Sequence, residues 1–119
     1  MREIKFRVYR TDKNEMYETA SLQEIAASQD LNLVDFEVLE VMQFTGLLDA
    51  SGVEIYEGDI IFPSGYPLNR FFYRLIEFHN GSFGYYDKVL KGEFYPLDQN
   101  KLKIWEVVGN KFQNPELIQ

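Results

Sequence analysis

Turn signals recur through the last three-quarters of this chain every eight to twelve residues or so, and that rhythm leaves room for short strands and little else. The breaks fall at Thr45-Gly46, Asp49-Ala50-Ser51-Gly52, Glu57-Gly58-Asp59, Asn80-Gly81, Lys91-Gly92 and Gly109-Asn110. Asn80-Gly81 is the strongest of them, because a two-residue type I′ hairpin turn needs two positive φ values. The segments between are rich in Phe and Tyr, and the aromatic share of 16% favours strands over helices. Successive short strands of this kind predict a small, strongly bent barrel over residues 36–112.

Within that span the pattern predicts a strand from Phe36 through Phe44, broken by Thr45-Gly46, then Val53–Tyr56 and Ile60–Phe62. A long strand over Phe71–Phe78 carries apolar groups on both faces, so its inward face is left open. Ser82–Tyr86, the short Phe94-Tyr95 segment and Leu102–Val108 complete the set, with 113–119 as a tail turning at Asn114-Pro115. Residues 63–69, with two Pro and Tyr66, have the composition of an exposed loop.

Residues 1–35 are too few to bury a core alone. Ile4, Phe6 and Val8 alternate with charged neighbours as a strand with one dry face would, and Met16-Tyr17 returns after the polar turn 11–15. Ser21 and Glu24 have the spacing of a capping box, which predicts a short helix over 21–28. The chain is thus expected to be mainly β, with α+β as the alternative: an N-terminal hairpin and short helix (1–35), a barrel (36–112) and a tail (113–119).

Composition excludes much chemistry. There is no Cys and a single His, which removes disulfides, thiol catalysis and any site needing two imidazoles. The net charge is −7, with 13 acidic and 5 basic residues in 1–60 against 6 and 7 in 61–119. Such acidity opposes broad wrapping of nucleic acid. The opening is charged where a signal peptide needs an apolar run, and no stretch reaches the ~18 apolar residues of a membrane span, so a cytoplasmic protein without membrane contact is expected. Asn80-Gly81-Ser82 matches the glycosylation pattern, but a turn accounts for it better.

Glu54, Glu57 and Asp59 form the densest carboxylate group, yet they lack the regular ligand register of a calcium loop, and a structural turn is the better reading. Asp35, Glu37 and Glu40 have no evident desolvating pocket, which leaves a solvated strand edge. His79 falls at a hairpin tip with no triad partner identifiable from spacing. The Gly residues stand singly, with no phosphate loop. No catalytic residue, metal or cofactor is therefore assigned, and the chain is expected not to be an enzyme. The turn Ile55, Tyr56, Glu57, Gly58, Asp59, Ile60 is architectural, with Gly58 taking a backbone region closed to other residues, Asp59 bonding the turn backbone and both Ile pointing inward.

A better functional candidate lies in the second half, where basic and aromatic residues interleave. Tyr66, Arg70, Tyr73, Arg74, Tyr85 and Trp105 form the candidate interaction surface. Nineteen aromatics exceed what so small a barrel can hide, and Tyr and Trp carry much of the binding energy at interfaces. Self-association or a partner protein is the leading expectation. Single-stranded nucleic acid, held by cations and stacked rings, is the alternative.

The residues also carry a family resemblance. Met42-Gln43-Phe44-Thr45-Gly46-Leu47, with Asp49, Gly52 and Glu54-Ile55-Tyr56-Glu57-Gly58-Asp59-Ile60-Ile61, resembles the hallmark of the YopX-like family of phage and prophage proteins of Gram-positive bacteria. The similarity extends to the opening Met1–Arg7, to Asn80-Gly81-Ser82-Phe83, and to Glu106–Asn110 with Asn114–Leu117. It implies an SH3-like barrel in the C-terminal part, a phage origin and assembly into homo-oligomers; a host or phage protein as partner is the expectation from the basic-aromatic surface itself. It implies no catalytic residues.

Overall fold

Residues 3–17, 39–87 and 92–119 are described in a computed structural model of the chain, and they are mainly β. The helix predicted over 21–28 lies outside them, as do the start of the strand predicted from Phe36 and the first half of the Lys91-Gly92 turn.

The first strand, β1 (Phe6–Arg10), folds back through residues 11–14 to β2 (Glu15–Tyr17), pairing Val8 with Tyr17 and Arg10 with Glu15. On its other side β1 pairs antiparallel with β3 (Leu39–Leu48) along its whole length, from Phe6↔Gln43 to Arg10↔Leu39. The sheet therefore joins residues before 35 to residues after it. Its fourth strand is β4 (Glu54–Tyr56), giving the order β2-β1-β3-β4.

Thr45-Gly46 does not end a strand, contrary to the sequence expectation. β3 runs through it, and Gly46, at φ +86°, falls where the β3–β4 register slips between Phe44↔Tyr56 and Leu48↔Glu54. The Thr45 hydroxyl donates to the Ile55 carbonyl at 2.7 Å and accepts from the Leu47 N–H at 3.1 Å, replacing ladder bonds that the bulge removes. The next turn is built on Asp49, whose Oδ1 accepts from the N–H groups of Ser51 (2.9 Å) and Val53 (2.8 Å). Its Oδ2 accepts from Val107 N–H at 2.9 Å, anchoring the turn to the far end of the chain.

A second sheet has the order β10-β5-β6, where β5 is Asp59–Pro63, β6 is Arg74–Leu75 and β10 is Trp105–Asn110. Every residue of β5 is buried, as the central strand of a sheet covered on both faces should be. The third sheet is a meander of β7 (Glu77–His79), β8 (Ser82–Asp87) and β9 (Glu93–Pro96). Asn80 (φ +51°) and Gly81 (φ +80°) close its first hairpin in the type I′ manner.

The single strand predicted over Phe71–Phe78 is three things instead. Residues Arg70–Phe72 make a 3₁₀ turn capped by the Asn69 side chain, β6 joins the second sheet, and β7 joins the third. The change of partner occurs at Ile76, which is 1% exposed. Its N–H donates to Asp59 O and its carbonyl accepts from Gly58 N–H, both at 2.8 Å, so two residues of the Gly58-Asp59 turn face one residue here. That bulge resolves the two-faced apolar pattern: Ile76 enters the core while Phe71 and Phe78 remain half-exposed. The last strand also begins later than expected. Lys101–Ile104 form a 3₁₀ turn, which drops Leu102 into the core before β10 starts.

The core is small: Ile55, Ile61, Ile76 and Leu102, sealed by Leu47, Leu97, Trp105 and Val107. At about 1.5–3 kcal/mol per fully buried aliphatic side chain, its four members are worth as much as the whole margin by which a typical domain stays folded.

Beside it lies a buried ion pair. The Arg7 Nη2 donates to Asp59 Oδ1 at 2.6 Å, the two side chains being 6% and 2% exposed. The other carboxylate oxygen accepts from Tyr56 N–H at 2.7 Å, the guanidinium carbon lies 4.7 Å from the centre of the Tyr56 ring, and Met42 Sδ is 3.6 Å from Nη2. Gly58 sits at φ +89°, and a Cβ there would stand 3.0 Å from Met42 Sδ.

Two outcomes follow for stability. Asp59→Ala strands a buried guanidinium and should cost about 3–5 kcal/mol in urea unfolding, whereas the paired change Arg7→Met with Asp59→Asn, which keeps an acceptor for the Tyr56 N–H, should recover part of it. A single-mutant loss below ~1 kcal/mol would show the pair to be ornamental. Gly58→Ala should cost about 1–2 kcal/mol by the same measurement, from the left-handed backbone and the contact with Met42.

Candidate functional site

Two of the three carboxylates in and beside the Glu-Gly-Asp turn, Asp59 and Glu54, are paired with cations. Asp59 is paired with Arg7, and Glu54 accepts from Lys5, which also meets Glu3 at 3.1 Å. The hydrogen bond that Lys5 donates to Glu54, reinforced by the one to Glu3, drives the Lys5 pKa well above its ordinary value. Ile55 and Ile60 are fully buried and Tyr56 nearly so, while Glu57 donates its N–H to Gln43 O at 2.9 Å. The turn is a joint between β4, β5 and β1, with Ile76 docked on it. Its basic partner, Arg7, lies 52 residues away in sequence, and no local spacing could have named it.

His79 is exposed at the end of β7, its ring 5.6 Å from that of Tyr86 and 5.2 Å from that of Phe94. Among the described residues no carboxylate forms an ion pair with it. Gly84 makes this ring cluster achievable: a Cβ there would meet the Phe94 ring at 2.7 Å and collide with Tyr95 O.

A cleft of about 830 Å³ opens where the first 3₁₀ turn, β6 and the end of β8 diverge. Arg70, Phe71, Tyr73, Arg74 and Leu75 form one wall; Glu77 and Tyr86 form another; Leu117, Ile118 and Gln119, from the closing 3₁₀ turn (Pro115–Ile118), form the third. Residues on both sides of the sheet change at Ile76 line it, so the cleft borders the place where the chain passes from the second sheet to the third. Its volume lies within the ~300–1,000 Å³ of pockets that enclose small ligands or a peptide end.

Of the six residues singled out from sequence, Arg70, Tyr73 and Arg74 line the cleft. Tyr85 and Trp105 do not. Both contact Arg74, each ring centre 5.8 Å from its guanidinium carbon, and the two rings meet each other at 5.9 Å with a 40° tilt. Tyr66 stands apart on the loop, half-exposed, with its ring edge-on to Phe72 at 5.7 Å. Glu77, Leu75 and the tail residues carry no sequence signal for such a role, since only the sheet change at Ile76 brings them to one place.

The two arginines of the cleft differ in kind. Arg74 is 11% exposed, faces Asp87 at 3.6 Å and donates Nη1 to the carbonyls of Phe71 and Tyr73, the latter at 3.1 Å. Its charge is thereby largely spent on the protein. Arg70 is exposed, rests over the Phe71 ring at 5.0 Å and has no ion-pair partner among the described residues. Tyr73, packed against Phe62 at 4.8 Å, fixes the backbone between them.

Burial raises the Tyr85 pKa above the ordinary phenol value, with Arg74 opposing and Asp87 assisting. The folded chain holds this proton more tightly than the unfolded chain. The resulting stability is complete below the unfolded tyrosine value near 10 and is lost as pH rises through the folded value. Tyr85→Phe should remove a late-ionising phenolate from the 295 nm titration and flatten the fall in stability above pH ~10.

The family described as YopX protein matches residues 5–119. A crystal structure described as that of protein EF1440 from Enterococcus faecalis is similar to this chain, with a TM-score of 0.69 and 27% identity over 98% of both chains. No curated protein matches the chain significantly.

Proposed function

The chain belongs to the YopX family, and from that membership we propose that it is a phage-derived, non-enzymatic interaction and assembly protein of the bacterial cytoplasm, built on an SH3-like barrel. The observation that carries this reading is the cleft, which gathers Arg70, Tyr73 and Arg74 with Phe71 and Tyr86 at one place. Half-exposed rings beside an unpaired guanidinium are the composition of a binding hot spot. Two acids of the densest carboxylate group, Glu54 and Asp59, are engaged by Lys5 and Arg7. Among the described residues no helix is long and apolar enough to cross a membrane, in keeping with a partner met in solution.

Self-association belongs to the same reading. Ile4, Val53, Leu68, Phe71 and Val108 are all at least 44% exposed, apolar surface that a second copy would cover. Single-stranded nucleic acid is the second reading, favoured by the rings of His79, Tyr86 and Phe94 on one face of the meander.

Light scattering at micromolar concentration should give a mass above the 14.0 kDa of one chain; a clean monomer removes the assembly half of the proposal. In a pull-down from host cytoplasm, the intact protein should retain a partner that the Arg70→Ala/Tyr73→Ala variant loses. Equal capture by both would place the binding surface elsewhere.

A further inference from the structure

We propose that the cleft takes an extended peptide segment of acidic and apolar character, a carboxylate meeting Arg70 and an aliphatic or aromatic side chain lying between Phe71, Tyr86 and Leu117. This names the ligand class of the site proposed above and rests on that reading.

Charge selects the class. Of the two guanidiniums in the walls, Arg74 is neutralised by Asp87 and has Nη1 committed to the carbonyls of Phe71 and Tyr73. Arg70 alone is exposed and without an ion-pair partner among the described residues, and the Phe71 ring beneath it holds the guanidinium plane in place. Glu77 contributes a negative charge to the opposite wall. One available cation suits a ligand that sets a single carboxylate on Arg70 and carries few further charges, with Glu77 weakening that attraction from across the cleft. A nucleic-acid strand is disfavoured, because every nucleotide brings a phosphate and the cleft offers one available cation.

Shape selects within the class. The other walls are rings and aliphatic side chains, and a volume of about 830 Å³ is more than a lone carboxylate fills. The cleft also lies alongside β6, whose two residues end the second sheet, so an extended backbone would run parallel to an existing edge. Arg70 reads the acid, and the apolar walls supply the bulk of the contact.

The test is fluorescence anisotropy on the full chain with three probes: Asp-Leu-Phe-Glu-Leu and its uncharged counterpart Asn-Leu-Phe-Gln-Leu, both labelled at the N-terminus with a neutral dye and amidated at the C-terminus, and labelled oligo(dT) of matched charge. The acidic peptide should bind about five- to tenfold more tightly than the amide form, and Arg70→Glu should erase that preference. Glu77→Gln should strengthen acidic-peptide binding by a few-fold. Circular dichroism and the urea midpoint of each variant confirm that the fold is kept, Arg70 being exposed. Equal binding of acidic and amide peptides overturns the proposal, as does oligo(dT) binding that outcompetes the acidic peptide. In the latter case the cleft is still an interaction site and only the ligand class falls; if no probe binds while the pull-down depends on Arg70 and Tyr73, the peptide class falls in the same way.

Discussion

One carboxylate organises much of this protein. Asp59 accepts from the Tyr56 N–H with one oxygen and from Arg7 with the other, so the same side chain closes the turn between β4 and β5 and fastens β1 beside it. Burying both charges is expensive, and the Arg7 Nε has no hydrogen-bond partner among the described residues to offset it. An apolar pair would avoid that cost but would leave the buried Tyr56 N–H without its acceptor. What an ion pair supplies is discrimination: only one register of β1 on β3 brings Arg7 to Asp59, and a one-residue slip would turn the guanidinium to the other face of the sheet.

From that joint the second feature follows. Gly58 and Asp59 present an N–H and a carbonyl to Ile76, which pins the chain where it passes from one sheet to the next. β6 and β7 serve different sheets, and the cleft beside them is lined by strand residues of both sheets and by two 3₁₀ turns. Arg74, packed against the contacting rings of Tyr85 and Trp105, stiffens one wall, and Arg70 is the exposed guanidinium of the lining. Two arginines four positions apart thus do unrelated work, one as a packing piece and the other as the exposed charge of the cleft.

Much of the β architecture was legible because its signals are local. The Asn80-Gly81 hairpin, the Asp49 turn and the β1–β2 return each depend on residues within a few positions. Misreadings arose where tertiary bonds override a local pattern. Thr45-Gly46 looks like a break, but the Thr45 hydroxyl bonds to Ile55 O and lets the strand continue. Phe71–Phe78 looks like one strand, but Ile76 is claimed by the turn at 58–59. Half of the basic-aromatic set reached the cleft for a related reason. Residue type predicts that an arginine and a ring will meet, whereas the direction each faces is decided by the sheet change. The tail residues Leu117–Gln119 had no signal at all, since nothing in their order says that they fold against residues 70–77.

The distance in sequence between Arg7 and Asp59 also sets an order of events in the cell. A chain made from its N-terminus at about 5–20 residues per second extrudes Arg7 some 3–10 s before its counter-ion exists. Through that interval the first hairpin has neither its long neighbour β3 nor its electrostatic latch. Two-stranded hairpins of this size are barely stable in water. The newborn segment therefore stays uncommitted until the middle of the chain emerges, and translation speed becomes a determinant of how long its apolar face remains open to chaperones.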